Sequence, residues 1–273
     1  TAEFGLSTGI NWSTNENEVT DLFGTESINL SPGASVSSRA VVGYPLGSLY
    51  GTGSQTNPDG SFILNSNGFP QITSSPIVLG DPNPDWRGGI SLSMRYKKFR
   101  LNAVLEHSEG GDFSPRTLWV LNRFGTTQET ANRLTLDQPL INYRGNTIPA
   151  GTTVRGNVRD FGGGPVLLDE NWYRTGIGGG FGDNQAYNFS IADATFTKLR
   201  DLSLSYVIDT PLVTNIGLSD VIVSVTGRDL ININNVEGID PEINTKGVSV
   251  AQGVEYFTNP QTKGFLFSLT INY

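Results

Sequence analysis

The sequence predicts an all-β chain whose antiparallel strands suit a large transmembrane β-barrel. Two observations predict it. Several segments alternate apolar and polar residues with a period of two, and the links between them alternate between short and very long. The last nine residues carry the clearest alternation: Phe265, Phe267, Leu269, Ile271 and Tyr273 interleave with Leu266, Ser268, Thr270 and Asn272. A period of two sends the first set to one face of a strand and the second to the other. The first face is wholly apolar and ends on an aromatic; the second is mostly small and polar. Alone, these residues suit the closing strand of a soluble sandwich as well as a lipid-facing strand.

The other strands follow in chain order. Ala2 to Trp12 places Phe4, Leu6, Ile10 and Trp12 opposite Glu3, Ser7 and Asn11, and Ser35 to Tyr44 is a weaker strand. Gly89 to Tyr96 sets Ile90, Leu92, Met94 and Tyr96 against Ser91, Ser93 and Arg95. After Lys97-Lys98, Phe99, Leu101, Ala103 and Leu105 alternate with Arg100, Asn102, Val104 and Glu106. Thr195 to Ile208 carries Leu202, Leu204, Tyr206 and Ile208 opposite Asp201, Ser203 and Ser205. Asp220 to Arg228 carries Val221, Val223 and Val225 opposite Ile222, Ser224 and Thr226. With the terminal strand this gives about seven candidates, near the ~9–11 residues of a tilted membrane strand.

The links favour a barrel over a sandwich. Lys97-Lys98 and Asp209 to Ser219 are short, whereas Tyr44 to Gly88, Ser108 to Ala194 and Asp229 to Lys263 are long and rich in Gly, Asn, Asp, Thr and Pro. Loops beyond ~15 residues are unusual inside a compact soluble domain. Short turns on one rim and long loops on the other belong to an outer-membrane barrel. Within the longest link, Leu118, Trp119, Leu121 and Phe124 have helical spacing and predict a short buried helix.

Composition narrows the function classes. The 273 residues, enough for one large or two ordinary domains, include no Cys, one His and 33 Gly, with a net charge of −8. Disulfides, thiolate metal sites and histidine clusters are excluded, and the acidic balance argues against nucleic acid. No apolar run reaches the ~18–20 residues of a membrane helix. Thr1 to Gly9 lacks the charged start and apolar stretch of a signal peptide, so an exported protein would be present as a mature chain or a fragment. No catalytic constellation is legible: His107 has no triad neighbours. No cofactor or metal is expected. Asp81, Asp85, Asp112, Asp240 and Glu242 read as solvated turn carboxylates rather than calcium ligands, and no EF-hand loop is present. Gly178 to Gly182 lacks the strand, helix and Lys-Ser/Thr pair of a phosphate cradle and reads as a flexible loop.

Several stretches resemble the SusC/RagA family of TonB-dependent outer-membrane transporters of Bacteroidetes. Gly43-Tyr-Pro-Leu-Gly-Ser-Leu-Tyr-Gly51 is similar to the family's GxPxGxxYG segment, and Gly80-Asp-Pro-Asn-Pro-Asp-Trp-Arg-Gly-Gly89 to its GDPNPxxxGG segment. Gly110-Gly111-Asp112 matches a GGD loop start. Ala192-Asp-Ala-Thr-Phe196 through Lys198-Leu-Arg-Asp-Leu-Ser-Leu-Ser-Tyr206 resembles the DASFxRLRxxSLxY strand. Thr226-Gly-Arg-Asp-Leu230 and Gly238-Ile-Asp-Pro-Glu242 fit two late segments of the family. The resemblance implies a non-enzymatic importer of glycans or peptides, a multi-pass barrel in the outer membrane with its long loops extracellular. It implies that residues 1–273 are the C-terminal segment of the barrel, without plug or N-terminal strands. Implied partners are the remaining barrel and plug, a SusD-like lipoprotein, the TonB complex through the plug and the lipid bilayer. A dimer of transporter–lipoprotein pairs is compatible with this picture. The alternative is a soluble β-sandwich that binds glycans or mediates adhesion.

Candidate site residues follow. Trp119, Trp172, Tyr173, Phe181 and Tyr187 in the longest loop are candidates for substrate or lid contact, weighed against internal packing of a folded loop. Arg95, Arg100, Glu106 and Asp201 are expected to face the lumen, as a path or as a charge ladder against the plug. Phe265, Phe267 and Tyr273 mark the strand on which barrel assembly would depend.

Overall fold

The computed structural model describes residues 3–31, 35–175, 185–236, 238–243, 245, 247 and 252–273. Its framework is one antiparallel sheet of six strands in chain order. These are β1 (Phe4–Ser13), β2 (Trp86–Tyr96), β3 (Phe99–Glu109), β4 (Phe196–Ile208), β5 (Asp220–Asn234) and β6 (Gly264–Asn272). The register sorts the side chains cleanly. Leu6 lies opposite Met94, Met94 opposite Leu101, Leu101 opposite Leu204, Leu204 opposite Val225, and Val225 opposite Phe267. The neighbouring row runs Ser7, Ser93, Asn102, Ser203, Thr226, Leu266.

The apolar rows are open. Ile10 is 79% exposed, Phe267 78% and Leu269 64%. A sandwich would cover such a face with a second sheet about 10 Å away. Among the described residues nothing covers it, and water would penalise it by ~25 cal/mol per Å². A hydrocarbon surround removes that penalty.

All the long connections leave from one rim. Lys97 and Lys98 close β2 to β3 at the other rim, with Lys97 in the left-handed region at φ 52°. The β4–β5 link there carries only the short helix Pro211–Thr214. Along this rim Phe4, Tyr96, Phe99 and Tyr206 stand in register, with the Phe99 and Tyr206 rings 4.6 Å apart.

The weak strand expected at Ser35 to Tyr44 does not join the framework, so six strands rather than seven build it. Ser37–Val41 instead lies inside a separate four-stranded sheet, between Ser27–Ser31 and Ser48–Gly51 with Ile77–Gly80 beyond. Val36, Ser37, Ser38 and Ala40 are all buried. Its residues therefore serve two covered faces, which is why its alternation was weak.

The long loops are folded. A core of Phe161, Val166, Leu168, Trp172, Tyr173 and Ala186 from the longest one packs on Phe69 of the link between β1 and β2, with Leu136, Leu140 and Leu167 forming a second cluster. The expected helix is α1 (Arg116–Phe124), ended by Gly125 at φ 71°. Its buried residues are Arg116, Val120 and Asn122, so the apolar stripe does not face inward as expected: Phe124 is 71% exposed.

Candidate functional site on the polar face and its loop rim

Segments far apart in sequence meet where the polar face reaches the loop rim. Gly80 to Gly89 crosses Gly110-Gly111-Asp112. The Asp81 amide donates to Asp112 Oδ2 at 2.9 Å, and the Asp112 amide donates back to Asp81 O at 2.6 Å. The approach leaves no room for side chains: a Cβ on Gly110, already at φ 73°, would lie 2.5 Å from Asp85 Oδ2. Gly110 N also donates to Thr195 Oγ1, and Ala194 N to Gly111 O, so the start of β4 is tied to the same knot. Burial pushes the Asp112 carboxyl up, and the charges of Asp81, Asp193 and Asp85 add to this against the hydrogen bond from Asp81. A hollow of about 100 Å³ opens beside the knot, lined by Pro82, Arg87, Phe196 and Glu242 among others.

A charge cluster stands next to it. β4 bulges against β3, with Arg200 extra between the Leu199–Leu105 and Asp201–Val104 pairs, and β5 bulges against β4, with Asp229-Leu230 opposite Arg200. Asp229 adopts φ 49°, and Gly227 leaves room for the Leu230 side chain. The bulge turns Arg200 onto the polar face, where Nε donates to Glu106 Oε2 at 2.7 Å and its other nitrogens reach Glu242 and Asp229. Lys198 is fully buried. Its Nζ contacts both Asp240 oxygens at 2.8 and 2.7 Å, Glu242 at 2.7 Å and Gln261 at 3.2 Å. Burial alone would raise the Glu242 carboxyl, but hydrogen bonds and charge from Arg200 and Lys198 outweigh it and bring it to about 2. Chemically the cluster is a clasp: it fastens both ends of the last long loop to the wall formed by β4.

Over its whole length, the chain superposes on the solved RagAB peptide transporter at TM-score 0.61 with 17% identity, and on a RagAB peptide importer in an open-open state at 0.58 with 15% identity. The fold is the one that this part of the RagAB transporter structures adopts. A TonB-dependent receptor P3 of Formosa agariphila is 23% identical over 99% of the chain. The chain spans about a quarter of these relatives, 27% of the receptor and 28% of the transporter. No protein-family model matches it.

Within this transporter fold the candidate residues separate. Arg95, Arg100, Glu106 and Asp201 share the polar face by register, with Arg95 opposite Arg100 and Asp201 opposite Arg228. Glu106 belongs to the clasp. Trp172, Tyr173 and Tyr187 are buried in loop cores, so their rings meet protein rather than ligand. The Tyr173 hydroxyl donates to Glu129 and accepts from Asn157, and burial pushes its phenol up. Trp119 is half-buried beside Arg116 and Tyr187. Phe181 and the Gly178 to Gly182 run lie outside the described residues. Phe265 and Phe267 belong to the open apolar face, and Tyr273 follows β6 at 98% exposure.

Asp240 corrects the expectation of solvated carboxylates, since Lys198 holds it in the interior. Lys198 and Arg200 were missed as site residues. One signal was available: two cations two residues apart at the head of a strand require partners, and Asp240 and Glu242 repeat that spacing.

Proposed function

We propose that this chain is the C-terminal part of the barrel of an outer-membrane, TonB-dependent importer of glycans or peptides, working with a SusD-like surface lipoprotein. The observation that carries this reading is the six-stranded sheet with one open apolar face, one polar face and every long connection on one rim. The height fits. From Phe99 to His107 is eight steps of ~3.3 Å, or ~26 Å along the strand and ~20 Å across a membrane at the usual tilt. Aromatic residues stand at both limits: Phe4, Tyr96, Phe99 and Tyr206 below, Trp12 and the Trp86–His107 pair at 4.8 Å above. That is close to the ~25 Å apolar band of such barrels.

Six strands cannot close around a plug; plugged lumens are made by 22. β1 and β6 each offer an unpaired edge among the described residues, and unpaired backbone groups in hydrocarbon cost several kcal/mol each. The parent protein supplies the remaining strands and the plug, and the long loops face outward. RagAB is a peptide transporter, which supports a peptide cargo at least as well as a glycan. Deleting Thr270 to Tyr273 from the parent should abolish heat-modifiable gel mobility and outer-membrane accumulation, because the barrel can no longer close. A truncated protein that inserts at normal abundance would refute the reading.

A further inference from the structure

A cleft of about 400 Å³ lies in the longest loop, between the end of α1 and the segment 169–174. Phe124, Arg123, Arg174 and Glu170 form its shared wall with an adjoining hollow of about 380 Å³. We propose that this cleft binds the free carboxylate end of a peptide, with Arg123 and Arg174 on the carboxylate and Phe124 under the last side chain. The inference rests on the importer reading and deepens it by naming what a long loop captures.

Three observations lead there. First, the cleft gathers Arg123, Arg155 and Arg174 on a chain whose net charge is −8 with 18 Lys and Arg in all. Arg155 is spent on structure, since its guanidinium donates to Thr130 O and Gly125 O and closes the end of α1. Among the described residues the ion pair of Arg174 is with Glu170, one helical turn away, and both side chains are more than 60% exposed. An exposed pair of this kind is worth little, so a ligand carboxylate can replace Glu170 at small cost. Second, Phe124 is 71% exposed on a helix whose other face is buried, which leaves an apolar surface beside the two guanidiniums. Guanidinium forks match carboxylates in geometry as well as charge. Third, the cleft offers no open indole or phenol platform among the described residues. Trp172 and Tyr173 have turned their rings into the core, so stacking of a sugar has no wide surface to use. A carboxylate next to an apolar side chain is what remains, and that is the end of a peptide.

The test is calorimetric titration of the intact parent protein in detergent with N-acetyl-Glu-Phe, the same dipeptide with only its C-terminal carboxylate amidated, and trigalacturonate. N-acetyl-Glu-Phe should bind, and its C-terminal amide should bind at least about tenfold more weakly. Arg123→Gln and Arg174→Gln should each weaken binding about tenfold or more, Arg174→Lys less than Arg174→Gln, and Phe124→Ala about tenfold. Arg133→Gln, on an exposed strand of the loop layer, should change nothing. Unchanged heat-modifiable mobility keeps folding separate from binding. Absence of N-acetyl-Glu-Phe binding, equal binding of its C-terminal amide, indifference to the arginine substitutions or preference for trigalacturonate would each overturn the proposal. Uptake by cells reports the importer reading separately: uptake with no binding at this cleft sinks only the cleft, whereas a parent that binds but never imports sinks the reading beneath it.

Discussion

Replacing Lys198 with methionine should release the last long loop from the barrel wall. Methionine keeps most of the stem that packs by Phe196, whose ring lies 4.7 Å from Nζ, and deletes the charge. Removing one partner from a buried ion pair costs ~3–5 kcal/mol, mainly because the other charge is stranded. Glu242 keeps Arg200 and its side chain is 35% exposed, so little of the cost falls there. Asp240 is 5% exposed and among the described residues keeps Asn232 Nδ2 at 3.1 Å and the Glu242 amide at 3.0 Å. The lower end, ~3 kcal/mol, is therefore expected, which is a roughly hundredfold rise in local opening. Hydrogen–deuterium exchange of the parent protein in detergent reads this directly at the amides of Glu242 and Ile243, which bond to Asp240 Oδ1 and Asp240 O. Lys198→Met combined with Asp240→Asn removes the stranded charge and should recover most of the protection. Unchanged exchange in the single variant, or a double variant as fast as the single, would refute the clasp.

The clasp should also loosen in acid. The Glu242 carboxyl is lowered from 4.5 to about 2, so its contribution is present above about 4.5 and disappears as pH falls through about 2. The full difference would be ~3 kcal/mol, which screening of a partly exposed group reduces to ~1–2 kcal/mol; Glu242→Gln should flatten that part of the stability–pH curve, and an unaltered curve would count against it. Val223→Arg, on the open apolar row, should cost ~2–4 kcal/mol and cut the yield of folded barrel far more than Ser224→Arg on the polar row; equal yields would reverse the face assignment. With the long loops outside, a membrane-impermeant thiol reagent on intact cells should label Asp137→Cys and miss Asn215→Cys, and the opposite pattern would invert the topology.

How far the sequence reached differs from element to element. Strand faces were legible because a period of two is a local property: Phe265, Phe267 and Leu269 declare one face whatever they pair with. Rim asymmetry was legible too, since link lengths can be counted. The fate of Ser35 to Tyr44 was not, because a strand covered on both faces shows no alternation, and only its sheet partners reveal which assembly it joins. The aromatics of the longest loop mislead in the same way. A tryptophan in a polar, glycine-rich stretch reads as a binding platform or as a core residue, and Trp172 became a core residue through Phe161 in its own loop and Phe69 from a different loop, remote in sequence.

The local chain by itself determined which residues alternate, where glycine permits a tight turn and how long each connection is. Tertiary structure alone decided that Lys198 meets Asp240 across 42 residues and Arg200 meets Glu106 across 94. A buried charge is tolerable only beside its counter-charge, and that counter-charge is chosen by strand register and by a bulge, neither of which the period of two records.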